Sequence, residues 1–278
     1  MSTEKLPVVA AIPNYNMSES LAALLEQAIA QEYDQIFVLD DASTDDSREI
    51  VEAFGPEVIF VPNDVNTGAS GARNRIMGHL SKTSLIHFMD ADIELVTKDM
   101  PEMIRKLHIT DSTGFIGGLV INPDGHQSIW NYGPALSLPA AVSSWYVSGI
   151  KSTDKSGSGD AHGALYSLSV ARPNPHETSL KRKKVFWALE SSIVIRSDTF
   201  ERLGGFDADV REHDIQALAI KAAQLGLNNY FDPSFVVKQQ DVPGVRNYNR
   251  TLNMIKSEFH LTKKYHRLLP WFFPFLNK

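Results

Sequence analysis

Between residues 7 and 92 the apolar residues switch repeatedly between two spacings, and few folds accommodate that pattern. Pro7–Ile12 is a short apolar run of strand length. Ser18 precedes Leu21, Leu24, Leu25, Ala28 and Ile29, the spacing of an amphipathic helix with a Ser cap. Gln35–Leu39 predicts a second strand, and Ser43 a cap for a helix over Thr44–Phe54. Val58–Val61 predicts a third strand, Gly68–Leu80 a third helix and Leu85–Met89 a fourth strand. Strands alternating with helices argue for a parallel sheet with helices on both faces.

Beyond this half the pattern is looser. Thr97–Leu107 predicts a helix with Met100, Met103, Ile104 and Leu107 on one face. Residues 114–150, rich in Gly, Pro, aromatic and β-branched residues, predict strands and irregular loops. Ser152–Gly163 and Arg172–Lys184 read as flexible, Val185–Arg196 as strand, Glu212–Leu225 as a helix, and Arg246–His266 as another. No clean linker is visible. The expectation is one α/β domain over 1–245, with a parallel half (1–112) and a mixed half (113–245), then a helical C-terminal tail (246–278).

Four polar clusters fall where the first strands end. Asp90 and Asp92 follow the fourth strand two residues apart, so both carboxylates can point the same way. Ligands of open α/β sheets bind at that edge. A hard divalent cation such as Mg²⁺ or Mn²⁺ prefers oxygen ligands, and held there it could bridge a diphosphate. The plain alternative is a solvated turn. Asp40 and Asp41 end the second strand, where a carboxylate can accept the imide N–H of a base; an Asp turn with a Ser cap explains Ser43 but not two adjacent aspartates. Pro13-Asn14-Tyr15-Asn16 ends the first strand, and Tyr15 could stack on a flat base, although Pro and Asn favour turns in any case. In Asn66–Asn74 (NTGASGARN) the glycines let backbone approach a ligand, and Arg73 suits phosphate or carboxylate.

Taken in order, PNYN, LDDAS, NTGASGARN and MDAD resemble glycosyltransferase family 2, loosely its rhamnosyltransferase-like members through residues 117–133. The resemblance implies a GT-A (Rossmann-like) fold and transfer of a sugar from a nucleotide donor with inversion. It implies that Pro13, Tyr15 and Asp41 contact the base, that Arg73 sits near base or phosphates, that Asp90 approaches the ribose and that Asp92 binds the metal. In the second half LGGFD (203–207) and REHDI (211–215) resemble the family's GGFD segment and the acidic helix start that supplies the catalytic base. Glu212 stands at the base position where Asp is usual, Asp214 matches a second acid, and Arg211 replaces an acid. The metal-binding His of many relatives has no counterpart in Phe231–Gln240, which offers Lys238 or Gln.

The remaining features bound the function. A net charge of −6 argues against nucleic-acid binding by charge. With no cysteine there is no disulfide, thiolate or Cys-based zinc chemistry. The first residues lack a secretory pattern and no apolar run reaches bilayer-spanning length, so a cytoplasmic setting is expected. Trp130, Tyr132, Trp145, Tyr146 and Trp187 are candidates for stacking on sugar rings, with core packing the more ordinary role. The tail (KKYHRLLPWFFPFL, 263–276) suits peripheral contact with the inner face of a membrane as well as packing on protein or a second copy of the chain. The leading expectation is an inverting transferase moving a sugar from a UDP- or dTDP-sugar to a glycan or lipid-linked acceptor, in polysaccharide or cell-envelope synthesis. Its rivals are a nucleotidyltransferase, for which residues 13–20 lack the needed Gly-rich basic loop, and a sugar-nucleotide-binding or scaffold protein without catalysis.

Overall fold

A computed structural model describes residues 5–133, 174, 176–177, 179–211, 213–240, 256–257, 260–261 and 263–265. In the first half, β1 (Val8–Asn14), α1 (Ser18–Ala30), β2 (Gln35–Asp40), α2 (Ser47–Ala53), β3 (Ile59–Pro62), α3 (Gly68–Asn74) and β4 (Leu85–Met89) alternate as expected. Then come β5 (Ile93–Leu95), α4 (Met100–Lys106), β6 (Thr113–Ile121), β7 (Tyr132–Gly133), β8 (Lys183–Val185), β9 (Trp187–Ala188), β10 (Ser192–Arg196), α5 (Ser197–Arg202), α6 (Asp214–Gln224) and β11 (Asn228–Gln239).

One nine-stranded sheet runs β3-β2-β1-β4-β10-β6-β11-β5, with β8 beside β11. The pairs β2–β3, β1–β2 and β1–β4 are parallel. β10 then inserts antiparallel between β4 and β6, and joins the parallel half to the rest. Both faces are covered, which is why β1 is apolar at every position from Val8 to Ile12. Val8, Ala10 and Ile12 pack on one side with Leu21, Leu24 and Leu25 of α1 and Ile104 of α4. Val9 and Ala11 pack on the other with Phe200 of α5 and Ile215, Leu218 and Ala222 of α6.

Several helix starts differ from expectation. Neither Ser18 nor Ser43 caps a helix through its side chain. Asp45 serves both ends instead: its carboxylate accepts from Ser18 N (2.9 Å), Ser47 N (3.1 Å) and Ser47 Oγ (2.6 Å). Ser43 is drawn into the strand-end turn, where its Oγ accepts from Asn16 N (3.0 Å) and Asn14 Nδ2 (3.1 Å). α4 starts at Met100 rather than Thr97 because Thr97 is held on β11: its N–H donates to Val236 O (3.1 Å) and its Oγ1 accepts from Val236 N (2.7 Å). The run Val185–Arg196 is not one strand. It breaks at Leu189-Glu190-Ser191, between β9 and β10. Residues 134–173 and 266–278 lie outside the described residues, and with them Trp145, Tyr146, the stretch 152–163 and the aromatic tail. Tyr132 and Trp187 are buried, Tyr132 against Phe231, so they belong to the core rather than to a sugar-stacking surface. Among the described residues no helix is long and apolar enough to cross a membrane.

Candidate functional site

The C-terminal ends of β1, β2 and β4 open onto a cleft of about 480 Å³. Order in the sheet explains its place. β1 has β2 on one side and β4 on the other, so the connections leaving β1 and those arriving beside it diverge there. Pro13, Tyr15, Asp41, Arg73, Asp90, Asp92 and Asp214 all line this one cleft, as do Arg211 and Glu190. Residues up to 200 positions apart in the chain meet, as the strand-end clusters implied. Glu212 lies outside the described residues.

The side chains are held in different ways. Tyr15 is 49 % exposed at the rim, a flat surface open to a partner. Asp41 is buried, and its carboxylate accepts from Thr67 N (2.9 Å), Thr67 Oγ1 (2.7 Å), Gly68 N (2.7 Å) and Asn63 Nδ2 (3.1 Å). It thus satisfies the first N–H groups of α3 and fixes the loop Asn63–Gly68. Gly68 has φ +80°, a conformation that suits glycine.

Arg73 is 2 % exposed and lies between two carboxylates, 2.5 Å from Asp90 Oδ1 and 2.8 Å from Asp214 Oδ2. Burial alone would disfavour its charge, but Asp90, Asp214 and Glu190 outweigh that and keep it cationic. Its guanidinium also lies over the Phe206 ring, 5.3 Å from the centroid. Next to it, Asn74 takes Phe206 N (2.7 Å) and gives to Phe206 O (3.0 Å). The NTGASGARN and LGGFD motifs are therefore bolted together. Asp214 is equally committed: Oδ2 accepts from Arg73 and from Ser70 Oγ (3.3 Å), and Oδ1 from Ile215 N (2.9 Å).

Glu190 is the residue that sequence reasoning missed. It sits half-buried in the break between β9 and β10, placed by Leu189 N donating to Asn131 O (3.0 Å) and by Ser191 Oγ donating to Asp90 Oδ2 (2.7 Å). Burial, then the neighbouring Asp214 and Asp90 carboxylates, hold its carboxyl well above the usual carboxylate range against the pull of Arg73. The signal in the sequence was the one charged residue within a strand-like run, WALESSIVI.

Asp92 is half-buried at the cleft, and the end of β11 meets it, with Gln240 N donating to Asp92 O (2.7 Å). The acids that line the cleft with it, Asp90, Asp214 and Glu190, offer hard carboxylate oxygens, which suit Mg²⁺ or Mn²⁺ better than a soft metal. A second acidic group, Asp207, Asp209 and His260, is a different feature. The Lys264 ammonium already occupies it, 2.8 Å from Asp207 and 3.6 Å from Asp209.

A mixed sheet covered on both faces, with a carboxylate pair after the fourth strand and a second set of acids closing the same cleft, defines a GT-A glycosyltransferase fold. Residues 9–172 match the family described as Glycosyl transferase family 2. The chain belongs to that family. A protein of Methanocaldococcus jannaschii described as uncharacterized is 26 % identical over 117 residues, which are 40 % of this chain and 51 % of that protein. The solved structures of similar fold include GalNAc-T7 with UDP, GalNAc and Mn²⁺ (TM-score 0.64, 15 % identity, 95 % of this chain and 50 % of that one). They also include a mannosyltransferase from Pyrobaculum calidifontis with GDP-Man and Mn²⁺ (0.60, 18 %, 95 % and 65 %). A fragment of TarS from S. aureus with UDP is a third (0.54, 15 %, 98 % and 71 %). At these identities the likeness is one of fold. The chain spans about half the length of the curated relative and of GalNAc-T7.

Proposed function

We propose that the chain is an inverting glycosyltransferase that moves a sugar from a UDP- or dTDP-sugar to a hydroxyl of a glycan or lipid-linked acceptor. The observation that carries this reading is the convergence of Tyr15, Asp41, Asp90 and Asp92 from the first half with Glu190, Arg211 and Asp214 from the second on one cleft. Nucleotides and Mn²⁺ in the fold relatives support it.

In this reading the exposed ring of Tyr15 stacks on the base, with Pro13 and the Asp41 turn beside it. Asp90, oriented by Arg73 and Ser191, meets the ribose. Arg211, exposed on the rim, adds positive charge for the phosphates. Asp92 holds Mg²⁺ or Mn²⁺, which when bound supplies positive charge to stabilise the nucleoside diphosphate as it leaves. Glu212 takes the acceptor proton as the hydroxyl attacks the anomeric carbon from the opposite face, and a placed base of this kind is worth ~10²–10⁴ in rate. Asp214, the second acid of that motif, keeps Arg73 and the start of α6 in place behind it.

The test is release of nucleoside diphosphate from a panel of UDP- and dTDP-sugars. The wild type should release it, and Glu212→Gln should bind donor normally but turn over at least ~10²-fold more slowly. Wild-type turnover in Glu212→Gln removes the base from Glu212. A chain that binds UDP yet never releases it from a UDP-sugar is the non-catalytic binder instead.

A further inference from the structure

The strand order fixes an order of subsites along the cleft. From the edge inward the sheet reads β3, β2, β1, β4, β10. Asp41 follows β2, Tyr15 follows β1, and Asp90 and Asp92 follow β4. The next strand is β10, and the residue that reaches the cleft from its start is Glu190. Ser192 pairs with Met89 in register, and Asp90 N donates to Ser191 O (3.3 Å), so Glu190 stands directly beyond the Asp90–Asp92 pair. Neighbouring strands lie roughly 4.8 Å apart, which puts β10 about 10 Å from β1. A nucleotide sugar with its base at Tyr15 and its diphosphate at Asp92 therefore brings its sugar to Glu190.

The chemistry there is specific. Arg73 is shared between Asp90 and Asp214, whose oxygens also take Ser191, Ser70 and Ile215 donors. Glu190 takes none of those donors; its carboxyl is bonded to its own backbone N–H. A carboxyl group carries two oxygens side by side and matches two adjacent hydroxyls. Asp41, Asp90, Asp92 and Asp214 outnumber Arg73 and Arg211 in the lining of the cleft, which therefore repels a negatively charged sugar.

We propose that Glu190 is a specificity-determining residue that binds the hydroxyls of the donor sugar, in a cleft that takes a neutral sugar with vicinal hydroxyls over a uronic acid. This rests on the nucleotide-sugar reading above.

Binding calorimetry with Mn²⁺ tests it, using UDP, UDP-glucose, UDP-galactose and UDP-glucuronic acid, with the dTDP and GDP pairs where UDP binds weakly. In the wild type at least one neutral hexose conjugate should bind tighter than its nucleoside diphosphate, and UDP-glucuronic acid weaker. Glu190→Ala should leave UDP affinity within twofold and weaken the hexose conjugate by roughly tenfold or more. Glu190→Asp, which keeps the carboxyl group and withdraws it by one methylene, should weaken the hexose conjugate while still excluding UDP-glucuronic acid, and it serves if the Ala variant does not fold. Equal loss of UDP and UDP-hexose affinity would assign Glu190 to the nucleotide or the fold and overturn the proposal, as would no change in either. A wild-type chain that binds none of these nucleotides sinks the nucleotide-sugar reading itself, a different outcome from the loss of sugar selectivity alone.

Discussion

Asp41 and Arg73 show how much of a site is spent on holding itself together. Asp41 neutralises four donors from Asn63, Thr67 and Gly68, and Arg73 balances two carboxylates in a space almost closed to water. Asp41→Asn presents an amide to two backbone N–H groups that need an acceptor. Chemical denaturation should show a loss of about 1–3 kcal/mol, and a smaller loss than about 0.5 kcal/mol would mean the loop carries its own order. Both residues stand in the cleft as their motifs implied. What the sequence did not disclose is that the Asp41 oxygens and the terminal nitrogens of Arg73 are already engaged, because those partners come from loops and helices far along the chain. Glu190 was invisible for a related reason. An acid in WALESSIVI reads as the exposed position of a strand, and only the break between β9 and β10 turns it into the cleft.

At the scale of elements, the apolar strands and the helix faces were legible because burial on both sides of a sheet leaves a continuous signature. Helix starts were not. Their caps are borrowed, as Asp45 serves two helices at once. β4 carries a less obvious constraint. His87 is buried in that strand, its ring nitrogens 2.8 Å from Tyr33 Oη and 2.9 Å from Ser192 Oγ. Burial lowers its pKa to about 3, against roughly 6.5 in an unfolded chain. Between these values the unfolded chain binds a proton that the native chain does not, so stability falls as pH drops below about 6.5 and is unaffected by this group above it. The slope is about 1.4 kcal/mol per pH unit, or about 2 kcal/mol between pH 6.5 and 5. Urea denaturation at these pH values should show that loss, and His87→Gln should remove most of it. An equal acid slope in both proteins would place the sensitivity elsewhere.

Across the whole molecule the joints between the two halves include β10 between β4 and β6, β5 paired with β11, Arg73 with Asp214, and Asn74 with Phe206. A further contact secures the C-terminal helical residues. Leu261 and Tyr265 are buried against Val210, Ala217 and Ile220 of the α6 region, while Asp207 accepts from Lys264 Nζ (2.9 Å) and Tyr265 Oη (2.8 Å). The segment thereby packs on Ala217 and Ile220 of α6, whereas Ile215, Leu218 and Ala222 of the same helix pack on the sheet. Asp207→Ala should cost about 1.5–3 kcal/mol and speed tryptic cleavage at Lys256 and Lys263. Unchanged cleavage would show that packing of Leu261 and Tyr265 suffices.

The central claim is that groups from both halves close around one metal-bound nucleoside diphosphate. Calorimetric titration of UDP with and without Mn²⁺, in the wild type and in Asp92→Ala, tests it most directly. The account predicts binding that requires Mn²⁺ in the wild type and is lost in the variant. Equal affinity in all four titrations, or UDP binding indifferent to Asp92, would contradict it.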